Sequence, residues 1–342
     1  MRRTSFDSPY ASRRSLLLRS AVLLSAALCA LVLFYIIGTR MEQRNIPEET
    51  YGDLTARFSP THVLTHGEST YAHYANTYTN ILLIGMDDAS LTSGGAYRSG
   101  AQADFLLLLS IDRQNKTITP LHIDRDTMTE AKVFGPFGNA AGTRTMQLCL
   151  SHAFGSNPQQ SCELTAWAVS NLLGVSIDHY LALDMDGIAA LNDALGGVTV
   201  TLQDDFSHLD PAMTVGTTLT LQGKQAEYFV RGRHGVGDNT NRGRMERQRT
   251  FIEAAISLLM EQSQEDSLIV SLFGALEPHM CTSLTGAWLM DHTYAFSHYR
   301  HAQVTSLPGT HRIGADGFME FIPEEEALTE LLIRLFYTQY SP

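Results

Sequence analysis

The sequence predicts an α/β domain, built on a mostly buried sheet and preceded by a hydrophobic segment near the N-terminus. From about residue 79 onward, apolar strands alternate along the chain with amphipathic helices, a pattern typical of a sheet covered by helices. Of the 342 residues, 44% are hydrophobic and 18% are charged. Such a composition can bury a core and excludes a disordered chain.

The strands and helices follow from the period of the apolar residues. Strands are predicted at Asn80–Ile84, Phe105–Ile111, Thr117–Ile123, His179–Leu183, Gly197–Leu202, Gln303–Leu307 and Phe318–Ile322. Helices are predicted at Glu163–Leu173, Ile188–Leu195, Arg242–Met260 and Glu324–Tyr340. No linker interrupts this series, so we expect one domain over residues 79–342.

Residues 20–38 contain no charged side chain. A helix of this length spans about 28 Å, close to the hydrocarbon thickness of a bilayer. Five arginines precede it, and flanking basic residues stay in the cytoplasm. This predicts a cytoplasmic tail over residues 1–19, one transmembrane helix over 20–38, a stalk over 39–78 and a domain outside the cell membrane. The alternative is a cleaved signal peptide, although no clear A-x-A site follows Gly38.

The charge balance and the missing motifs exclude several function classes. The chain carries a net charge of −12, whereas general nucleic-acid binders are basic, so we expect no nucleic-acid partner. Six arginines and one acid give residues 1–40 a charge of +5, which leaves −17 on the other 302 residues. No GxxxxGK[ST], HExxH, CxxC or GxSxG motif occurs, so phosphate loops, zincins and serine hydrolases have no support.

Two cysteines flank a short loop that contains glycine, serine, asparagine and proline. Cys149 and Cys162 could close a disulfide around about 14 residues, which would contribute roughly 3 kcal/mol. The alternative is two unpaired thiols. Cys281 remains and is expected to be buried, while Cys29 lies in the predicted membrane span.

The most distinctive stretch is the arginine-rich segment Arg231–Arg249. It holds six arginines against Asp238 and Glu246, which gives +4 in 19 residues of an otherwise acidic region. Two guanidinium groups about 6 Å apart repel by roughly 3 kcal/mol, so an anion or carboxylates must lie among them. Arginine suits the bidentate recognition of phosphate. Arg244 and Gln248 are four residues apart and share one side of the predicted helix. The alternative is a solvated basic helix face.

Acidic residues stand at the ends of three predicted strands. Asp87 follows the first strand, Asp104 opens the second, and Asp124 and Asp126 follow the third. Two carboxylates from neighbouring strands could hold Mg²⁺, or Mn²⁺, which bridges phosphate oxygens. Nearby Arg98 and Arg125 would add to an anion site. The alternative is that these aspartates only cap turns.

Together these segments resemble the LytR-CpsA-Psr family of cell-envelope proteins. The matching stretches are NILLIGMD, DFLLLLSID, LHIDRDT, VSNLLGVSIDHYLALDMDGIAALNDALGGVTVTL, LQGKQAEYFVRGR and GDNTNRGRMERQR. They cover about residues 79–262, and residues 263–342 match in pattern only. Ile123–Asp124 stands where the family usually has Ile-Pro before Arg125, and Arg98 lies six residues before Asp104 rather than two.

The resemblance implies a central mixed sheet with helices on both faces and an apolar groove for a lipid tail. It implies a phosphotransferase that moves a glycopolymer from a polyprenyl-diphosphate carrier to peptidoglycan through a phosphodiester link. The family's metal ligands would correspond to Asp87 and Asp104, with Asp238 as a general base. Its phosphate-binding and catalytic residues would correspond to Arg98, Arg125, Arg231, Arg233, Arg244 and Gln248.

Two other functions remain open from the residues alone. A hydrolase would use water in place of the acceptor hydroxyl on the same lipids. A non-catalytic binder or sensor of envelope polyanions would use the arginines without turnover. A DNA-binding regulator is disfavoured because the 19-residue tail is too short for a pair of DNA-reading helices.

Overall fold

The computed structural model describes residues 61–86, 101–134, 140–262 and 266–340. The predicted membrane helix over residues 20–38, together with Asp87 and Arg98, lies outside these ranges. Within them, no helix combines the length and the apolar character that crossing a bilayer requires.

The chain forms sixteen described strands and seven described α-helices. The strands are β1 His62–His66, β2 Ser69–His73, β3 Tyr78–Met86, β4 Ala103–Asp112, β5 Thr117–Ile123, β6 Met128–Phe134, β7 Ala140–Gln147, β8 His179–Leu183, β9 Thr199–Thr201, β10 Thr218–Thr220, β11 Met280–Thr282, β12 Arg300–His301, β13 Thr305–Ser306, β14 Gly309–Ile313, β15 Met319–Pro323 and β16 Thr338–Gln339. The helices are α1 Pro158–Leu173, α2 Met185–Ala194, α3 Lys224–Arg231, α4 Asn241–Gln262, α5 Asp266–Leu276, α6 Gly286–Ser297 and α7 Glu325–Phe336.

The central sheet is mixed, as expected. Its strands run in the order β11-β8-β3-β4-β5-β12, and β13 also pairs with β5. Strand β4 runs antiparallel to both β3 and β5. Strand β8 runs parallel to β3, and β12 runs parallel to β5. Because Met86 pairs with Ala103, the end of β3 and the start of β4 meet at one edge of the sheet.

Alternate residues of the central strands point to opposite faces of the sheet. Leu82, Leu106 and Leu108 are fully buried and pack in one core with residues of α1 and α7. Leu83, Leu107 and Leu181 point to the other face, where they line a cavity together with residues of α2 and α4. Helices therefore cover both faces, which confirms the predicted layering.

The C-terminal part of the predicted stalk belongs to the folded domain. Strands β1 and β2 form a hairpin, and β2 also pairs with β16 near the C-terminus. His73 is buried, and its ring bonds the carbonyl oxygen of Phe336 at 2.8 Å. The polar, weakly patterned sequence hid this hairpin because its partner strand lies more than 260 residues away.

The predicted Cys149–Cys162 disulfide is wrong, because both thiols are free and buried. Cys149 Sγ accepts a hydrogen bond from Arg125 at 3.2 Å, whereas Cys162 on α1 hydrogen-bonds Cys281 on β11. Cys162 is a buried residue of helix α1, which begins at Pro158. The two cysteines therefore have different partners although they are close along the chain. Cys281 is partly rather than fully buried.

Candidate functional site

A cavity of about 290 Å³ lies between the central sheet and helices α2, α3, α4 and α5. Its walls are mostly leucine, isoleucine and phenylalanine side chains, and among the described residues its charged or amide side chains are Asp104, Arg231, Arg244 and Gln248. We call it the apolar cavity. An apolar cavity whose few polar groups converge is the usual form of a ligand site, and here the ligand would have a hydrophobic part and an anionic part.

Helix α4 places Arg244 and Gln248 at this cavity. The two residues are one turn apart, and Phe251, Ile252 and Ala255 continue the same side of the helix along the cavity wall. Arg244 lies in the first turn of α4, which begins at Asn241, and Gln248 lies one turn further along. The amide groups at a helix N-terminus carry partial positive charge, which favours an anion there.

Asp104 joins two of the predicted arginines. One carboxylate oxygen pairs with Arg125 and the other accepts from Arg244 Nη1 at 2.9 Å. The side chains of Arg125 and Arg244 are 17% and 7% exposed, so both cations are held away from bulk water. Asp104 at the start of β4 therefore contacts both Arg125 and Arg244, as the sequence predicted.

Two polar atoms in the cluster have no hydrogen-bond partner among the residues described. They are Arg244 Nε and Gln248 Oε1, and both are buried. A buried, unpaired donor or acceptor costs roughly 1–3 kcal/mol, so such atoms are expected where a ligand completes the site. Burial and the neighbouring charges of Arg125 and Arg233 lower the pKa of Arg244 to about 10, which still leaves the guanidinium charged at neutral pH.

Arg231 and Arg233 lie beside Arg244 at the end of α3. Arg231 lines the apolar cavity and pairs with Glu227 at 2.8 Å. Arg233 is exposed and has no ion pair within the described residues, yet it is close enough to Arg244 to lower the pKa of that residue. Its positive charge is therefore available to an anionic ligand.

Asp238 lies outside this cluster of contacts. It is exposed, and its carboxylate accepts from the backbone N–H and the hydroxyl of Thr240, at 2.9 and 2.7 Å. These bonds lower the pKa of Asp238, which makes its carboxylate a weaker base. The structure thus gives Asp238 a role in shaping the loop before α4 rather than a place beside Arg244.

A buried polar network that the sequence did not reveal supports the cluster. Asn241 accepts from Arg244 at 2.6 Å and donates to both Asp124 and Asp126. Asp126 also pairs with Arg125 Nε at 3.3 Å. Asp124 and Asp126 were noticed only as strand-end acids, and Asn241 was missed. No local signal pointed to it, because an asparagine at a helix start usually accepts from backbone N–H groups of its own first turn.

Two of the remaining arginines of the Arg231–Arg249 segment have protein partners, and the third, Arg242, lines a separate cavity on another side of α4. Arg247 is buried and bonds Asp204 together with the carbonyl oxygens of Phe229 and Gly232. Arg249 pairs with Glu246 on the surface of α4. Within the predicted cluster, Arg231 and Arg244 therefore line the apolar cavity, whereas Arg247 joins α4 to neighbouring segments.

One of the two predicted metal ligands can be tested on the described residues. Asp104 supplies carboxylate oxygens of the kind that Mg²⁺ prefers, and it lies at the mouth of the cavity. No group of three or more metal-binding side chains occurs within the part of the chain that the structure describes. The donor chemistry at Asp104 fits Mg²⁺ or Mn²⁺ as one protein ligand, provided that other oxygens come from elsewhere.

Comparisons with known proteins identify relatives of this chain. A model of the LytR_cpsA_psr family matches residues 50–336. The chain is 30% identical over 220 residues to the polyisoprenyl-teichoic acid–peptidoglycan teichoic acid transferase TagU of Halalkalibacterium halodurans, covering 63% of this chain and 64% of that protein. It is 26% identical over 254 residues to TagU of Bacillus subtilis, covering 74% and 75%.

The fold is also found among solved structures. The crystal structure of protein gbs0355 from Streptococcus agalactiae matches with a TM-score of 0.61 and 22% identity, covering 76% of this chain and 87% of that one. The first curated relatives are matched over about half to two thirds of their length. Because the family model matches most of the sequence, the chain belongs to the LytR-CpsA-Psr family.

Proposed function

We propose that this protein transfers a glycopolymer phosphate from a polyprenyl-diphosphate carrier to a hydroxyl group of peptidoglycan. The observation that carries the proposal is the apolar cavity, which ends in Asp104, Arg231, Arg244 and Gln248. Its walls suit an isoprenoid chain and its mouth suits a diphosphate. The relatives named as polyisoprenyl-teichoic acid–peptidoglycan teichoic acid transferases support the same reaction.

The acceptor oxygen attacks the phosphorus atom that carries the glycan. A new O–P bond forms, the bond to the bridging oxygen of the diphosphate breaks, and polyprenyl phosphate leaves with that electron pair. The acceptor's proton passes to a base. Because the diphosphate already stores the energy of the bond, no nucleotide is needed. Catalysis of this kind rests on alignment of the reactants and on neutralising phosphate charge.

The residues at or next to the mouth of the apolar cavity have different roles in this reaction. Arg244 donates through its unpaired Nε, and Arg231 and Arg233 add positive charge at the mouth of the cavity. Arg125 is held by Asp104 and Asp126, so its planar group is fixed before the substrate arrives. Gln248 Oε1 can accept a hydrogen bond from a hydroxyl of the ligand.

A divalent cation is part of the proposal. Asp104 would hold Mg²⁺ or Mn²⁺ together with Asp87, which directly follows the last residue of β3 at the sheet edge where Asp104 lies. When bound, the cation would neutralise charge on the diphosphate and on the leaving phosphate. Removal of metal by EDTA should stop transfer, and added Mg²⁺ should restore it in the wild type but not in Asp104→Ala.

We also propose that residues 20–38 anchor the protein in the cell membrane, with residues 1–19 in the cytoplasm and the folded domain outside. This supports the function because the carrier lipid would then lie in the same membrane. Protease treatment of intact cells should cleave the domain from its anchor. Protection of the domain in intact cells would contradict this orientation.

The experiment that tests the function uses the full-length protein in lipid nanodiscs. The protein is incubated with a polyprenyl-diphosphate glycan, Mg²⁺ and peptidoglycan, and the products are separated by mass. Glycan joined to peptidoglycan through a phosphodiester supports transfer, whereas free glycan phosphate indicates a hydrolase. Binding without turnover indicates a polyanion binder. Arg125→Ala should abolish the product, and Arg312→Ala on exposed β14 serves as the control.

A further inference from the structure

A second cavity of about 320 Å³ lies on the other side of α4, next to the ends of β5 and β13. Its wall from α4 consists of Arg242, Met245, Glu246 and Arg249. At about 100° per residue, this set lies on a different side of the helix from Arg244, Gln248 and Phe251. The two cavities therefore flank different sides of helix α4, and Arg244 lies in its first turns.

His311 and Asp124 form a hydrogen-bonded pair in the wall of the second cavity. His311 Nε2 lies 2.7 Å from Asp124 Oδ2. The Asp124 side chain is 4% exposed and that of His311 is 31% exposed, so the acid is buried and the ring reaches the cavity. Asp124 Oδ1 is also held, by the backbone N–H of Asp126 and by Asn241 Nδ2.

This arrangement leaves one nitrogen of the ring ready to accept a proton. The Asp124 carboxylate can only accept at Nε2, so neutral His311 carries its hydrogen there and has a lone pair on Nδ1. Nδ1 has no hydrogen-bond partner within the part of the chain that the structure describes. A histidine oriented by a buried carboxylate is a common form of general base.

The pair is connected to the phosphate-binding cluster by direct contacts. Asn241 bridges Asp124 and Arg244, and Arg125 is the next residue after Asp124. The strand that carries His311 is also bonded to this segment. His311 pairs in register with Phe321 on β15, and the backbone N–H of Phe321 donates to the carbonyl oxygen of Asp126 at 2.8 Å. The contacts from His311 through Asp124 and Asn241 therefore lead to Arg244 near the start of α4.

The direction from which the hydroxyl attacks phosphorus favours the second cavity as the acceptor site. Attack on phosphorus occurs roughly in line with the leaving group. In the proposed function, polyprenyl phosphate leaves toward the apolar cavity, so the attacking hydroxyl must approach from the opposite side. The second cavity lies on a different side of α4 from the apolar cavity, and its arginine, glutamate, serine and histidine side chains suit a polar saccharide.

We propose that His311, held by Asp124, accepts the proton of the acceptor hydroxyl, and that the second cavity admits the peptidoglycan saccharide. The inference rests on the proposed function and adds its base and its acceptor site. As the O–P bond forms, the hydroxyl proton moves to Nδ1 of His311, and polyprenyl phosphate departs with the electrons of the broken bond. The proton then passes from the ring to solvent.

The other histidine at this cavity is a poor candidate for the base. His122 is buried, and desolvation together with the charges of Arg249 and Arg244 lowers its pKa to about 4. Such a ring holds a proton too weakly to act as a base at neutral pH. The charged or titratable groups that surround His311 are Asp124, His122, Arg242, Glu246, Arg249, Arg312 and Glu320.

The test compares His311→Gln, His311→Ala and Asp124→Asn with the wild type in the nanodisc transfer assay across pH 5–9. We expect the transfer rate of both His311 variants to fall about 100-fold. The wild-type rate should decrease toward acid pH, and the rate of the variants should not show this decrease. Imidazole should partly restore His311→Ala, and Asp124→Asn should fall less. Binding of polyprenyl phosphate by the two His311 variants should stay unchanged, since His311 does not line the apolar cavity.

Arg312→Ala is the matched control, because this residue is next on β14 and its side chain points away from His311. Thermal melting of all variants shows whether a loss of transfer reflects unfolding. Transfer within threefold of the wild type in His311→Gln would overturn this inference and leave the proposed function standing. Equal losses of transfer and of polyprenyl phosphate binding would also overturn it. Absence of transfer by the wild type would overturn the proposed function as well.

Discussion

Arg244 and Arg247 lie three residues apart on α4 and are about equally buried, at 6% and 5% exposure. Their partners differ. Arg247 bonds a carboxylate and two backbone carbonyls and stacks over Phe206 at 5.6 Å, so the protein itself satisfies its donors. Arg244 lines the apolar cavity, and its buried Nε has no partner among the residues that the structure describes. Burial alone therefore does not mark a functional arginine, whereas an unsatisfied buried donor does.

The largest effect expected from this comparison is on Arg244. Arg244→Lys keeps the charge but removes Nε and the planar group, so transfer should fall by about 100-fold or more. The rate of product formation in nanodiscs measures this. The unfolding free energy should change less than for the matched Arg247 variant. Near-normal transfer by Arg244→Lys would contradict the assignment.

Arg247→Ala should give the opposite result. It leaves Asp204 and two buried carbonyl oxygens without their donor, so we expect a loss of about 3 kcal/mol in the free energy of unfolding. Urea denaturation followed by circular dichroism measures the loss. The transfer rate per folded molecule should stay within threefold of the wild type. A folded Arg247→Ala protein that has lost transfer would remove the distinction between the two arginines.

Gln248 is a second residue with a buried polar atom that has no partner among the described residues. Its Oε1 is buried and unsatisfied, while its Nε2 donates to the carbonyl of Val230 at 3.3 Å. Gln248→Leu removes both atoms, so the unfolding free energy should change by no more than about 1 kcal/mol, whereas transfer should fall about tenfold. A large loss of stability with normal transfer would show that Gln248 is structural.

The smallest expected effect concerns Asp126. Burial and the neighbouring Asp124 carboxylate raise its pKa, against the opposing charge of Arg125. The folded protein then binds this proton more tightly than the unfolded chain does, so the contribution of Asp126 to stability falls as pH rises through the folded pKa. The unfolding free energy of Asp126→Asn should therefore increase relative to the wild type between pH 4 and 7. Parallel pH curves for the two proteins would contradict this.

Several elements could be predicted from the sequence because their signals are local. Strands β5 and β8 begin and end where the apolar runs predicted, at Thr117–Ile123 and His179–Leu183. Helix α4 exceeds the predicted Arg242–Met260 by only a few residues. The β6–β7 hairpin was missed, because β7 is mostly exposed and has no apolar period.

The site was predicted in part. Asp104, Arg125 and Arg244 come together as expected because strand-end acids and a helix N-terminus were both visible in the sequence. Asp238 was assigned to the same cluster but lies on an exposed loop. The cysteine pairing failed for a related reason, since the direction of each side chain depends on how α1 and the preceding turn pack. His311 carried no signal, because its partner Asp124 is 187 residues away.

The sequence by itself determined the α/β class, the family and the residue types that meet a phosphate, because apolar periodicity, arginine clustering and strand-end aspartates are local properties of the chain. Only the tertiary structure decided which arginines face the cavity and which hold the helix. It also brought His311 to Asp124 and separated the two sides of α4 into different cavities. Those outcomes depend on packing between segments far apart in the chain, which no local pattern records.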